Sequence, residues 1–346
     1  GTKSVTATLP AALLVVLWWR HGRLAYRHDV RPLLPWFIVA IASGALTAWF
    51  EHRLIGANGA EFALSWVQRV LLSGRVIVHY ASTLFWPTTL IFTYPRWEII
   101  PSWTALLYPV GVALTLIVGW LLRARSRAPL AVLLLFCGTL TPVLGFVNVY
   151  PFRYAWVADH FQYLANIAPM VGLAAAVWTL PQRWARTAAV AAVALLAGMS
   201  WRQSGEYRDP ITLYRATLAR NDASWMAHHN LARLLANRPE ARAEAIAHYQ
   251  RATALKPDHA RAYYGVGVLL QRDGRTAEAI TALERARTLE PRNAQLVANA
   301  SFLLGELYES RGDARTAAIA AYALADSLKP GVPQTQQALA RARRAP

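Results

Sequence analysis

The second half of this chain repeats itself with a period of 34 residues. Four positions carry the repeat: a small residue, a large apolar residue, a second small residue and a proline. A unit of this size cannot bury its apolar face alone, so successive units have to stack on one another. The positions are Ala245, Tyr249, Ala252 and Pro257 in the first copy and Ala279, Leu283, Ala286 and Pro291 in the second. The third copy, Ala318, Tyr322, Ala325 and Pro330, follows the second by 39 residues instead of 34.

The residue types at these positions predict the structure of each unit. Small residues suit the points where two helices cross closely, the large apolar residue fills the space between the helices, and proline ends the pair. This is the signature of the tetratricopeptide repeat. We therefore predict an α-solenoid over residues 203–346, with a half repeat at 210–221, repeats at about 225–259, 260–293 and 298–331, and a capping helix at 335–344.

Residues 1–202 have a different composition. Residues 1–201 carry 5 acidic and 15 basic side chains, whereas residues 202–346 carry 14 and 21. Six apolar segments approach the roughly 20 residues that a helix needs to cross a bilayer. The sequence thus predicts an all-α protein, in which a polytopic transmembrane helix bundle precedes the solenoid. The predicted spans are 5–19, 32–50, 104–122, 128–146, 167–180 and 187–201.

The short basic loops predict how this bundle is oriented. Arginines concentrate at 20–31, 123–127 and 183–186, and the positive-inside rule places such loops in the cytoplasm. The same rule accounts for much of the net charge of +17, so that charge does not indicate nucleic-acid binding. Residues 51–103 and 147–166 then form outside loops, and the mildly apolar segment 70–87 is expected to lie at the interface or line a cavity rather than span.

Several motifs together resemble bacterial relatives of the transmembrane-and-tetratricopeptide-repeat O-mannosyltransferases, which belong to the multi-span glycosyltransferases that use polyprenyl-phosphate sugars. The motifs are SVTATLP at 4–10, LIFTYPRW at 90–97, VYPFRYAWVADHFQYLA at 149–165 and WRQSGEYRD at 201–209. The resemblance implies a bacterial inner-membrane protein with its repeats on the extracytoplasmic side. In that class the catalytic acid follows the first span, and this sequence is expected to begin downstream of it.

The outside loops contain residues that suit a lipid phosphate. Arg153 and Arg96 stand among aromatic residues, and arginine offers a bidentate fork to phosphate oxygens. Tyr154 and Tyr163 are candidates to stack on a sugar. The alternative is that these arginines and tyrosines only anchor the loops among lipid headgroups.

The catalytic residue stays unassigned, with Asp159 and His160 as candidates. Asp159 is the only acid between Glu98 and Glu206. It is a candidate to orient His160, to bind a divalent cation, or to form a structural pair with Arg153. Two groups do not make a metal site, and with a single cysteine, Cys137, no cysteine-based metal cluster exists, so we predict no metal site or certain cofactor.

In the solenoid, the concave surface is drawn from the first helix of each repeat. Asn230 stands where related arrays place a peptide-binding asparagine, but Gly265 and Leu303 occupy the corresponding positions of the other copies. No asparagine ladder is therefore expected. A partner groove is predicted from His229, Asn230, Arg233, Tyr264 and Gln271, with an ordinary solvated helix face as the alternative for each residue.

Two functions follow from this organisation. The first is a membrane glycosyltransferase that moves a sugar from a polyprenyl-phosphate donor to a protein or glycan acceptor recruited by the repeats. The second is a non-catalytic, membrane-anchored repeat scaffold for protein–protein interaction in the cell envelope. The first requires an acidic residue close to Arg153 in the folded protein, whereas the second does not. Fold analogy alone cannot establish the activity.

Overall fold

The computed structural model describes residues 4–56, 59–312 and 314–344, and within these ranges the chain is helical with no β-strand. It divides into two compact units, Gly1–Gly205 and Glu206–Pro346. The all-α class predicted from the sequence is confirmed. Each unit has its own core of buried apolar side chains.

The described part of the first unit contains seven α-helices, joined by loops and one-turn helices. Ser65 begins the third helix through a capping box with Gln68, and Ser102 caps the fourth by accepting from the backbone N–H of Ala105. The helices are α1 Leu9–His21, α2 Leu34–Phe50, α3 Trp66–Phe85, α4 Trp103–Leu122, α5 Ala128–Leu140, α6 Ile167–Trp178 and α7 Gln182–Ser204.

Three helical stretches are long and apolar enough to cross a membrane: Tyr26–Ile55, Trp103–Leu122 and Gln182–Tyr207. The predicted spans 128–146 and 167–180 are shorter in the structure. The first gives way to a turn around Pro142 and to Gly145, whose φ of +93° no helix contains, and the second ends before Pro181. The apolar side chains of the long helices are largely exposed, so the six-span bundle stays a prediction.

Two of the three basic loops lie at the same end of this unit. A guanidinium nitrogen of Arg127, just before α5, lies 3.4 Å from the carbonyl oxygen of Trp18 near the end of α1. The same arginine packs on Gly22, where an added Cβ would lie 2.1 Å from its Nη1. Gly22 also has a φ of +77°, so two constraints favour glycine at the end of α1.

Helix α3 covers the segment predicted not to span, and hydrogen bonds near its start and toward its end join it to segments predicted to lie outside. Near its start the Gln68 amide donates to the carbonyl of Ile99 at 2.9 Å. Near its end the Tyr80 hydroxyl exchanges hydrogen bonds with the backbone of Ala158. Residues of α3 and of both outside loops share one aromatic-rich core, which we call the outer-loop core: Phe62, Leu72, Val76, Tyr80, Ile91, Tyr94, Phe152, Ala155, Trp156 and Val157, with Phe136, Leu140 and Leu144 of the α5 region and Ala165.

The second unit is a series of antiparallel helices. At the predicted crossings Ala245, Ala252, Ala279 and Ala286 are all 0% exposed, which confirms their predicted burial. The helices are α8 Pro210–Arg220, α9 Trp225–Leu235, α10 Arg242–Leu255, α11 Ala260–Arg272, α12 Thr276–Leu289, α13 Ala294–Arg311, α14 Arg315–Leu328 and α15 Pro333–Arg344.

Glycines on the first helices let the large apolar residues of the second helices approach closely. A Cβ added at Gly267 would lie 2.5 Å from Leu283, and one added at Gly305 would lie 2.5 Å from the ring of Tyr322. These contacts join the two helices of one repeat. The repeating large residue therefore packs over a glycine, which explains why its neighbours have to be small.

Candidate functional site

A depression of about 780 Å³ lies on the first helices of the repeats, α9, α11 and α13. We call it the repeat groove. Of the predicted residues, His229, Asn230, Arg233 and Tyr264 line it. The remaining polar lining consists of Asn237, Arg261, Arg272, Asn293, Gln295 and Asn299.

Gln271 does not line the repeat groove, although the sequence placed it there. Its amide donates instead to the carboxylate of Glu306 on α13 at 3.0 Å. On α11 the lining residues Arg261, Tyr264, Val268 and Arg272 recur every three or four positions, and Gln271 falls at the edge of that stripe. An amide at this edge turns toward the neighbouring helix rather than into the concave face.

His229 forms the aromatic wall of the repeat groove. Its ring centroid lies 4.6 Å from that of His259 and 5.5 Å from that of Tyr249. Burial, and then the neighbouring His259, Arg233 and Arg261, lower the pKa of His229 to about 4. The imidazole is therefore neutral near pH 7, and the positive charge of the groove comes from its arginines.

In the first unit the two loops predicted to lie outside, 51–103 and 147–166, meet at an ion pair. The Nε of Arg153 lies 3.2 Å from a carboxylate oxygen of Glu61. Arg96 lies beside them: its Nε donates to the carbonyl oxygen of Phe152 at 2.8 Å, and its Nη2 donates to the backbone carbonyl of Glu61. The Arg96 guanidinium also covers the ring of Trp156, 4.4 Å from its centroid. We call Glu61, Arg96 and Arg153 the outer-loop arginine cluster.

Tyrosines adjoin this cluster. The hydroxyls of Tyr150 and Tyr154 are 3.1 Å apart, and the backbone N–H of Tyr150 donates to Glu51 at 2.8 Å. Burial lowers the pKa of Arg153, but Glu61 and these two hydroxyls outweigh burial, so the net direction is upward. Arg153 therefore stays a cation with an acidic partner.

The partner predicted for a structural role of Arg153 was Asp159, and the structure places another residue there. Asp159 accepts a hydrogen bond from the Tyr94 hydroxyl at 2.7 Å. Burial raises the pKa of Asp159, while the bond from Tyr94 and the charge of His160 act against burial. A one-turn helix at Asp159–Phe161 directs this carboxylate toward the outer-loop core.

The other predicted residues of this loop lie at its surface. His160 is exposed and packs edge-on against Phe161, with ring centroids 4.6 Å apart. Tyr163 is 67% exposed. Neither belongs to the outer-loop arginine cluster. Among the described residues, no group of three or more His, Cys, Asp or Glu side chains is placed to hold a metal ion.

Sequence reasoning did not name Arg261 and Arg272 as site residues, and it considered Glu61 only as one of several loop residues that could supply an acid. The two arginines had a usable signal, because they flank Tyr264 at helical spacing on the same face of α11. No sequence signal indicated the contact between Glu61 and Arg153, since an irregular loop has no periodicity from which a contact can be predicted.

Comparisons with known proteins identify the second unit. Residues 243–274 match a family profile described as a TPR repeat, and residues 272–333 match one described as a tetratricopeptide repeat. The C-terminal region therefore contains tetratricopeptide repeats, as the period predicted. No curated protein gives a significant match, so the comparisons contain no evidence of glycosyltransferase activity.

Two crystal structures of the protein MamA are similar to this chain. Each is 27% identical to this chain, with a TM-score of 0.36. The similar region covers 42% of this chain, and it covers 81% of one MamA chain and 76% of the other.

Proposed function

We propose that this protein is a membrane-anchored tetratricopeptide-repeat scaffold whose repeat groove binds a segment of a protein partner outside the membrane. The observation that carries the proposal is the groove itself. The groove has a volume of about 780 Å³, and arginines, amides and a tyrosine from three successive first helices line it. Extended concave surfaces of this kind are what repeat arrays use for binding.

Three features of the first unit support the membrane anchor. Long helices expose large apolar side chains, with Ile41 70% and Leu121 69% exposed, which suits contact with lipid. Two basic loops lie at one end, as the positive-inside rule requires. The segments 51–103 and 147–166, both expected outside, contact one another through Glu61 and Arg153.

The proposed orientation predicts that the repeat unit is reachable from outside the cell. A cysteine is placed at the exposed Arg292 in a Cys137→Ala background, so that it is the only thiol. A membrane-impermeant thiol reagent is expected to label intact cells. A second cysteine at Arg125, in a loop assigned to the cytoplasm, serves as the control and should react only after lysis. The reverse pattern would invert the topology.

Partner binding is tested by cross-linking from inside the repeat groove. A photoreactive benzoylphenylalanine replaces Tyr264 in the full chain, and membranes are irradiated before detergent is added. We expect covalent adducts with a protein from this position. The same amino acid placed at Arg285, which is exposed on α12 outside the groove, is the matched control and should give no such adduct. Equal cross-linking from both positions would contradict a groove-specific partner.

A second candidate function is glycosyl transfer from a polyprenyl-phosphate sugar. The observation that favours it is the outer-loop arginine cluster, since an acid beside Arg153 was the structural requirement of this hypothesis. Arg153 and Arg96 would hold the phosphate, and Glu61 would be an acidic group within reach. In this function the repeats recruit the acceptor, so the repeat groove has the same role in both proposals.

A further inference from the structure

We propose that the partner segment in the repeat groove is an acidic peptide in extended conformation, whose carboxylates pair with Arg233, Arg261 and Arg272. This inference rests on the proposed function and specifies the chemistry of the partner. It follows from the charges that line the groove, from the lack of ion pairs at those charges among the described residues, and from the type of neutral polar groups between them.

The repeat groove is positively charged and contains no acid. Arg233 comes from α9, whereas Arg261 and Arg272 come from the two ends of α11. No Asp or Glu is among the residues that line it. A neighbouring depression of about 270 Å³ shares Tyr264 and Asn299 with it, adds Lys329 and likewise has no acidic lining residue. The positive surface therefore continues along the solenoid.

These three arginines differ from the ion-paired arginines of the same unit. All three are exposed, and in the part of the chain that the structure describes none of them forms an ion pair. Other arginines of the unit do pair with carboxylates, so acidic residues are available but lie elsewhere. These pairs include Arg208–Asp209, Arg215–Glu244, Arg220–Glu206, Arg242–Asp273, Arg251–Asp222, Arg275–Glu278 and Arg341–Glu309. Guanidinium groups without an intramolecular acid suit a carboxylate supplied by a partner.

The groups between the arginines favour a polypeptide as the source of the carboxylates. Asn230, Asn237 and Asn299 and the side chain of Gln295 offer both amide donors and acceptors. A peptide backbone needs both kinds of group, whereas a nucleic-acid backbone presents mainly acceptors. Val268 and Leu296 add apolar surface for the side chains that alternate with the acidic ones along an extended strand.

Fluorescent synthetic peptides test this inference with the full chain in detergent. One peptide alternates Glu and Ala, a second alternates Gln and Ala, and a single-stranded oligodeoxynucleotide is the competing polyanion. We expect the Glu peptide to bind at least about tenfold more tightly than the Gln peptide, with affinity falling as salt is added because exposed charges are screened. The triple variant Arg233→Gln, Arg261→Gln and Arg272→Gln should bind the Glu peptide about tenfold or more weakly.

The matched control replaces Arg285, Arg343 and Arg344, which are also exposed, with glutamine and removes the same charge. Its binding should be unchanged, and equal melting temperatures show that both variants fold. Equal affinity for the Glu and Gln peptides, or preference for the oligonucleotide, would overturn the acidic-peptide inference. If position 264 still cross-links to a protein in that case, the scaffold function stands without the acidic-peptide inference. If there is neither a preference for the Glu peptide nor a cross-link from position 264, both proposals fail.

Discussion

Ala279→Trp is expected to unfold or strongly destabilise the repeat unit. Ala279 is 0% exposed on α12, and its carbonyl oxygen lies within 3.3 Å of the position that a Cβ on Gly267 would occupy. An indole has no room at this crossing. Overpacking of a well-packed core costs about 1–3 kcal/mol or more, out of the roughly 5–15 kcal/mol that stabilises a domain. Thermal melting of residues 206–346, followed by far-ultraviolet circular dichroism, measures the effect.

The control for this change lies two residues away on the same helix. Ala277 is exposed, so Ala277→Trp adds the same side chain without entering the core. We expect its melting temperature to stay close to that of the unchanged unit, whereas Ala279→Trp should lower it by several degrees or more. Equal melting temperatures for the two variants would show that the helix register read from the repeats is wrong.

The repeat unit was predictable because its determinants are local and recur. A close helix crossing admits only small residues, and the large apolar residue and the proline recur at the same period, which leaves little freedom in the assignment. The same logic extends to the groove only in part. The stripe of Arg261, Tyr264 and Arg272 follows from helical spacing, whereas the turn of Gln271 toward Glu306 depends on the neighbouring helix α13.

The first unit was less predictable, for two physical reasons. Apolar composition marks a helix but does not fix its length, so 128–146 and 167–180 are shorter in the structure than predicted. Contacts between irregular loops also leave no periodic trace in the sequence. Asp159 is six residues from Arg153, yet Glu61, almost a hundred residues away, is the acid that Arg153 reaches.

Arg153→Ala is expected to reduce binding of a polyprenyl-phosphate-linked hexose, and transfer from it, by about tenfold or more if the outer-loop arginine cluster holds the donor. Loss of one charge-assisted contact costs about 1.5–3 kcal/mol. Arg153→Lys should recover only part of the affinity, because lysine keeps the charge but loses the two-pronged donor geometry. Arg53→Ala, at an exposed arginine of the other loop predicted to lie outside, is the matched control and should bind the donor normally.

The ion pair with Glu61 offers a purely structural role for Arg153, and a double-mutant cycle separates the two roles. Both side chains are about one-third exposed, so the pair by itself contributes only about 0–1 kcal/mol. If the pair serves only to join the loops, Arg153→Ala and Glu61→Ala should lower the melting temperature in detergent alike, and the double variant should be no worse than either. Donor affinity would then be unchanged in all three. If Arg153 binds the donor phosphate, Arg153→Ala loses affinity while Glu61→Ala keeps or gains it, since removing the carboxylate frees the guanidinium for the phosphate. Loss of donor affinity in Arg153→Ala but not in Glu61→Ala, with similar effects on stability, is therefore the result that only a donor site explains.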